Sequence, residues 1–433
     1  MAGKTKQHIK NVAGRGAHHP ARASIISPGY FRRLGPGIIT GAADDDPSGI
    51  GTYSQAGAQV GYGMLWAAPA LLPLAYATQE ACARLALVTG KGLAALIKAR
   101  MPRWVLVLAV MLVAFANTVN IAADLASMAA ALRLIVPVDQ TVGVILFALL
   151  MAISEIIVPY HRYSKVLRWL CLSLLAYVAV MFVAKVDWNT VVTDTLLPQF
   201  SFTKASFALL IALAGTTISP YLFFWQAAEE VEERHEDGPS VNPEHVQAMR
   251  GDVFSGMFTG VFIMFAIMVT AAATLNAHGI TQINSAEDAA KALTPIAGQF
   301  AGLLFLLGIL GVGLLSVPVL AGSTAYAVAE TFGWRESLEL APRQARAFYS
   351  VIVASMAVAL LLNFVGIPPM YFLFLAAVCN GLAAPALMIV VWWLARDKRL
   401  LGKWVSGRLS QWVLGLAILA MAALPVGWLL AGH

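Results

Sequence analysis

Runs of about 20 predominantly apolar residues recur from residue 37 to residue 430, the length a helix needs to cross a hydrocarbon core. Backbone in lipid must satisfy its own hydrogen bonds, so such runs fold as helices. Their spacing predicts spans at about 37–61, 64–88, 104–130, 139–160, 166–186, 205–230, 250–276, 297–328, 345–366, 369–395 and 408–430. Only 12% of the 433 residues are charged, against about 25% in a soluble domain. That excludes a soluble enzyme, a disordered regulator and a disulfide-rich secreted module. The chain reads as an all-α polytopic membrane protein with about eleven spans.

The net charge of +6 could suggest an anionic partner, but the positions of the charges assign it to topology. Cytoplasmic loops collect Lys and Arg. With the N-terminus inside and all eleven segments crossing, 24 of the 29 basic residues fall on the cytoplasmic side. Four (Arg133, Lys185, Lys204, Lys291) fall outside, and Arg84 alone sits within a span. The first segment is polar for a membrane helix, yet the rule requires it to cross, because seven basic residues precede it. These readings place a disordered basic cytoplasmic tail at 1–34 and give a multi-pass protein of the plasma or inner membrane. Its partners are the lipid bilayer and a substrate, with no nucleic acid, and it is expected to be monomeric. Cys82, Cys171 and Cys379 lie far apart in apolar runs and read as small buried hydrophobes.

Two spans are broken. Span one is interrupted at Asp46-Pro47-Ser48-Gly49 and span six at Gly215-Thr216-Thr217-Ile218-Ser219-Pro220. Proline removes a helical hydrogen bond and clashes with the preceding turn. Each break opens a five-span block, one starting inside and the other outside, which is the pattern of inverted repeats. The expected organisation is repeat one at 35–190, repeat two at 200–396 and an extra helix at 405–433, a LeuT-like 5+5 arrangement. Discontinuous helices of this kind bring unwound carbonyls and half-helix ends together near the bilayer midplane.

Asp44, Asp45 and Asp46 immediately precede the first break. An ionised carboxylate at a helix centre costs about 2.5–3.5 kcal/mol on insertion scales. Three in a row repel one another, and at the end of a half-helix the dipole disfavours them further. Protein cations are scarce here, so a passing cation is the simplest compensation. Glu80, Glu155 and Glu330 read as structural hydrogen-bonding groups, and Asp124 as a functional one. Glu229 and Glu230 follow the span-six break toward the cytoplasm, where they could draw cations from the pore. All eight histidines fall in tails, loops or span edges, so no imidazole is available at the midplane.

These residues resemble the NRAMP (natural resistance-associated macrophage protein) divalent-metal transporters. Asp46-Pro47-Ser48-Gly49 looks like that family's Asp-Pro-Gly-Asn motif, and Gln55-Ala56-Gly57-Ala58-Gln59-Val60-Gly61-Tyr62 like the run that follows it. Gln79-Glu80 and Val88-Thr89-Gly90-Lys91 extend the likeness, which is sharp over residues 35–92 and weak after span six. The resemblance implies Asp46 as the metal-binding aspartate, with the backbone carbonyls of Ala43 and Thr216 facing the ion. It implies a polar ligand in span ten, for which Asn380 is the candidate. The departures share a direction. The family asparagine is Gly49, and the Met-Pro-His motif of span six reads Ser219-Pro220-Tyr221. A second family histidine is Gln226, and the glutamate three residues after the span-three aspartate is Ser127.

A thioether suits transition metals, whereas oxygens suit Mg²⁺ and Ca²⁺. Loss of methionine and asparagine side chains enlarges the site, and Mg²⁺ usually keeps several waters. The sequence therefore looks like the magnesium-transporting relatives of that family. It predicts a non-enzymatic carrier of Mg²⁺, and also Mn²⁺, by alternating access without obligatory proton coupling. The ion is cargo, and no cofactor is expected. The candidate metal residues are Asp44, Asp45, Asp46, Ala43, Gly49, Thr216, Ser219 and Asn380, and the pathway residues Asp124, Tyr221, Gln226, Glu229 and Glu230. A proton-coupled Mn²⁺/Fe²⁺ importer is the first alternative. A sodium-coupled organic-solute carrier is the second, disfavoured because three aspartates would repel a substrate carboxylate.

Overall fold

The structure, a computed structural model, describes residues 44–157, 172–237, 241–338 and 340–431. The predicted basic tail, the first half of span one with Ala43, and Cys171 lie outside the described residues. Among the described residues every regular element is helical. Among those residues eight helices are long and apolar enough to cross a membrane. There are nine if Leu172–Val183 and Trp188–Leu196, bent by 113°, are one span. Span one is described only from Asp44. The helix of span two is long enough to cross but carries Gln79, Glu80 and Arg84.

The elements that position the break are α1 (Pro47–Val60), α2 (Ala67–Thr89), α3 (Leu93–Arg100), α4 (Arg103–Leu132), α5 (Gln140–Ile157), α6 (Lys204–Thr217) and α7 (Pro220–Asp237). They are followed by α8 (Pro243–Thr274), α9 (Ala301–Phe332), α10 (Arg346–Leu362), α11 (Pro369–Ala395) and α12 (Arg408–Leu430). Helix α1 packs along α8, α4 along α9 and α11, and α6 along α11. In the span made of α6 and α7, 89% of the apolar window is buried, against 17% in α12. The broken span is therefore central. The last helix is peripheral and shows Leu409, Trp412, Leu419 and Leu430 on its outer surface.

Close approach between helices in lipid relies on small residues. A Cβ on Gly215 of α6 would stand 2.2 Å from the Ala377 carbonyl oxygen, and one on Gly381 of α11 would stand 2.5 Å from that of Ile211. Each helix thus offers a glycine to the other's backbone. That contact holds α11 against the span-six break, with Asn380 beside it in sequence.

Two acids read as structural in the sequence do have structural partners. Glu80 pairs with Arg84 within α2 and lies 3.4 Å from Arg250 of α8. Glu330 accepts from the backbone N–H of Ala95 at 2.8 Å and so serves the first turn of α3. Glu155 departs from that expectation. It is buried in α5, and neither carboxylate oxygen has a hydrogen-bond partner.

Candidate metal-binding site

Asp46 ends the non-helical stretch and begins α1. One carboxylate oxygen, Oδ1, accepts from the Gly49 N–H at 2.8 Å and from the Ser48 hydroxyl at 2.6 Å, an N-cap with Pro47 in the first turn. The sequence placed these acids where a helix dipole disfavours them. The structure corrects this for Asp46, which stands at the N-terminus of the following half-helix, where the dipole favours a negative charge. Its other oxygen, Oδ2, accepts from the side-chain amide of Asn120 on α4 at 2.8 Å. Asp44, Asp45 and Asp46 are all buried, and Asp44 and Asp45 each keep one oxygen without a partner.

The second break is closed by its own serine. Helix α6 stops at Thr217, and α7 restarts at Pro220, which has no N–H to carry the ladder on. The Ser219 hydroxyl donates to the carbonyl oxygens of Gly215 at 2.8 Å and Thr216 at 2.7 Å. The Thr216 carbonyl that the resemblance points at the ion therefore already accepts one bond. Thr217 Oγ1 donates to the Met264 sulfur at 3.6 Å, so a thioether from α8 lies beside the break.

Tyr53 lies beside both breaks: its ring tip adjoins Gly49, and its hydroxyl faces Thr216 and Thr217 of α6. It also modifies the expectation of a roomy site. A Cβ on Gly49 would lie 3.2–3.3 Å from the tip of the Tyr53 ring. Part of the room left by the missing asparagine is filled by this phenol one helical turn on.

The predicted residues fall into two groups. Asp44, Asp46 and Asp124 are each within electrostatic reach of Tyr221 beside the break, and Gly49 adjoins them through the Asp46 cap. Asp124 Oδ2 accepts from the Ser316 hydroxyl of α9 at 3.0 Å, while Oδ1 has no partner. Asn380 is fully buried on α11, and neither amide atom is bonded. Gln226, Glu229 and Glu230 form the second group, further along α7, where Gln226 stands one turn before the buried Glu230. Ala43 lies outside the described residues. Among the described residues no three His, Cys, Asp or Glu converge to hold a metal. The donors this region offers an ion are carboxylate, hydroxyl, carboxamide and carbonyl oxygens, with one thioether adjacent.

Sequence reasoning missed Asn117, Asn120, Ser316 and Tyr53. The signal for the first two was present: Asn117, Asn120, Asp124 and Ser127 are spaced three, four and three apart, one face of a helix. Asn117 Nδ2 donates to Leu320 O (3.0 Å), Ser323 Oγ (2.7 Å) and Thr324 Oγ1 (2.9 Å), fastening α4 to α9.

An all-helical membrane bundle with two half-helices meeting at buried acids is the architecture of a secondary transporter, not of an enzyme. The chain belongs to the natural resistance-associated macrophage protein-like family, whose model matches residues 37–431. A divalent metal cation transporter MntH from Klebsiella pneumoniae subsp. pneumoniae is 26% identical over 409 residues, 92% of this chain and 94% of that protein. The MntH of Aeromonas hydrophila is 28% identical over 310 residues, covering 69% of this chain and 74% of its own. Among solved structures, the Eremococcus coleocola manganese transporter, bound to an aromatic bis-isothiourea compound, superposes with a TM-score of 0.71 at 16% identity. That match covers 92% of this chain and 87% of the other. Mhp1, a nucleobase-cation-symport-1 family transporter, gives a TM-score of 0.57 at 15% identity over 94% of this chain and 93% of its own. These likenesses are of fold: the broken-helix bundle inferred from the two prolines.

Proposed function

We propose that the protein carries hard divalent cations, Mg²⁺ and with it Mn²⁺, across the cell membrane by alternating access. The N-terminus is cytoplasmic, and the monomer is the working unit. Asp46 is the central ligand. Asp44 or Asp45, the carbonyls of Ala43 and Thr216, Ser219, and Asn380 from α11 complete an oxygen-rich and partly hydrated shell. The observation that carries this reading is Ser219 at the mouth of α7. It presents a hydroxyl where the family motif presents a thioether, and that hydroxyl is tied into the break itself. Oxygen donors suit Mg²⁺ and Mn²⁺ alike, and the fully buried, unbonded Asn380 amide supports a polar contribution from span ten.

The second reading is a proton-coupled Mn²⁺/Fe²⁺ importer, and the named relatives, manganese and divalent metal cation transporters, support its metal substrate. The Met264 sulfur beside Thr217 would suit it. Purified protein in liposomes with a fluorescent indicator inside separates the two. The first reading expects uptake of both Mg²⁺ and Mn²⁺, with Mg²⁺ in excess competing against Mn²⁺. Mn²⁺ uptake that no excess of Mg²⁺ slows would leave the importer reading standing.

A further inference from the structure

Asp46 has no idle oxygen. Oδ1 is committed to the cap of α1 through Gly49 and Ser48, and Oδ2 to the amide of Asn120. A cation that binds Asp46 therefore displaces one of these donors or binds beside it, and Asn120 is the one of them supplied by another helix. The Asn120 side chain is fully buried, and its carbonyl oxygen Oδ1 has no partner. Its orientation follows from its bond: the –NH₂ end must face the carboxylate, because a carboxylate only accepts. The oxygen left over hangs from the same carbon as the bonded nitrogen, so a half-turn of the amide brings it to face Asp46 in the nitrogen's place. One turn along the same face of α4 stands Asp124, whose Oδ1 is also unbonded. A buried carbonyl without a donor is unfavourable, and a cation would remove that cost.

We infer that Asn120 is a further metal ligand, supplied by span three. In the ion-free site its amide donates to Asp46 Oδ2. When a cation arrives, the amide turns about its terminal torsion, the N–H leaves Asp46, and Oδ1 takes a place in the coordination shell. Terminal amide torsions have two broad, roughly equivalent orientations, so the turn needs no backbone movement. Asn120 thereby holds the carboxylate while the site is empty and adds a hard oxygen when it is full, favouring Mg²⁺ and Mn²⁺ over soft ions. This inference rests on Asp46 being the metal site.

The test is metal titration of the purified full chain by calorimetry, with Cd²⁺ and Mg²⁺ as probes, for the parent, Asn120→Cys and Asp46→Ala. A thiolate placed on a coordinating position raises Cd²⁺ affinity by about tenfold or more and weakens Mg²⁺. It also gives an ultraviolet sulfur-to-cadmium charge-transfer band absent from the parent. A residue that only hydrogen-bonds Asp46 produces neither. Unchanged Cd²⁺ affinity with no new band in Asn120→Cys, while Asp46→Ala abolishes binding, overturns the role of Asn120 and leaves the Asp46 site intact. Parent-like binding in Asp46→Ala overturns both. If Asn120→Cys does not fold, infrared difference spectra on adding Mg²⁺ decide instead, using isotope-labelled asparagine in an Asn380→Ala background. A shifted carboxamide carbonyl band supports coordination, and an unmoved band overturns it.

Discussion

Ser127 turns its hydroxyl back onto the backbone carbonyl of Asp124, 2.8 Å away, and not toward the Asp124 carboxylate. The sequence position that resembles an acid of the family's proton route is thus spent within its own helix. The Asp124 carboxylate is instead held by Ser316 of α9. A proton carrier must change its protonation state on the way across, and serine does not near neutral pH. Mg²⁺ influx into liposomes at clamped voltage is therefore expected without acidification of the interior, read by an enclosed pH-sensitive dye. Acidification stoichiometric with uptake contradicts this.

Selectivity is expected to follow the side chain at the span-six break. Ser219→Met replaces a hydroxyl bonded to Gly215 and Thr216 by a soft donor. Cd²⁺ binding should strengthen relative to Mg²⁺ by about tenfold, measured by calorimetry. Gly49→Asn is expected to act differently, because its Cβ meets the Tyr53 ring at 3.2–3.3 Å. Overpacking of this kind costs about 1–3 kcal/mol, so thermal unfolding should occur at a lower temperature in that variant. An unchanged Cd²⁺ to Mg²⁺ preference in Ser219→Met would place selectivity elsewhere.

Two buried asparagines should respond in opposite ways to leucine. Asn117 donates to three oxygens of α9. Asn117→Leu leaves those acceptors short of a donor and is expected to cost about 1–3 kcal/mol. Asn380 bonds nothing, so Asn380→Leu should leave stability unchanged or raise it while slowing metal uptake. Thermal unfolding in detergent, paired with liposome flux, reads both. A destabilised Asn380→Leu with normal flux would make Asn380 structural.

The breaks in spans one and six were legible in the sequence because their cause is local. Pro47 and Pro220 lack the N–H that a helix needs, and each begins a new helix in the structure. The acid at Asp46 was legible for the same reason. Its partner was not: that Asn120 faces it depends on how α4 crosses α1, a tertiary relation that no local pattern encodes. The space beside Gly49 was misjudged because only the missing side chain was weighed. Tyr53 stands four residues on, and residues four apart share a helix face. Glu155 was read as a hydrogen-bonding group and bonds nothing, since a buried acid with no partner looks in sequence like any acid near a span end.

One carboxyl outside the spans gives a pH dependence with a definite sign. Glu336, in the loop after Phe332, is pushed up to about 8 from its ordinary 4.5, first by burial and then by Glu330 and Glu232. The folded chain holds this proton more tightly than the unfolded one. Its stabilising effect is complete below about pH 4.5 and is lost as pH rises through about 8. Unfolding temperature should fall across that window, and Glu336→Gln should flatten the fall. Equal slopes in parent and variant would contradict this.

The proposed mechanism centres on the charge at Asp46, which can be removed without removing the cap. Asn at an N-cap accepts from the helix N–H almost as well as Asp, so Asp46→Asn keeps the Gly49 bond while losing the anion. The direct measurement is Mg²⁺ and Mn²⁺ uptake by liposomes containing parent or Asp46→Asn protein at matched content and matched unfolding temperature. Uptake of both ions is expected in the parent and is expected to vanish in Asp46→Asn. Parent-rate uptake by a folded Asp46→Asn protein would show that the ion does not pass through this carboxylate.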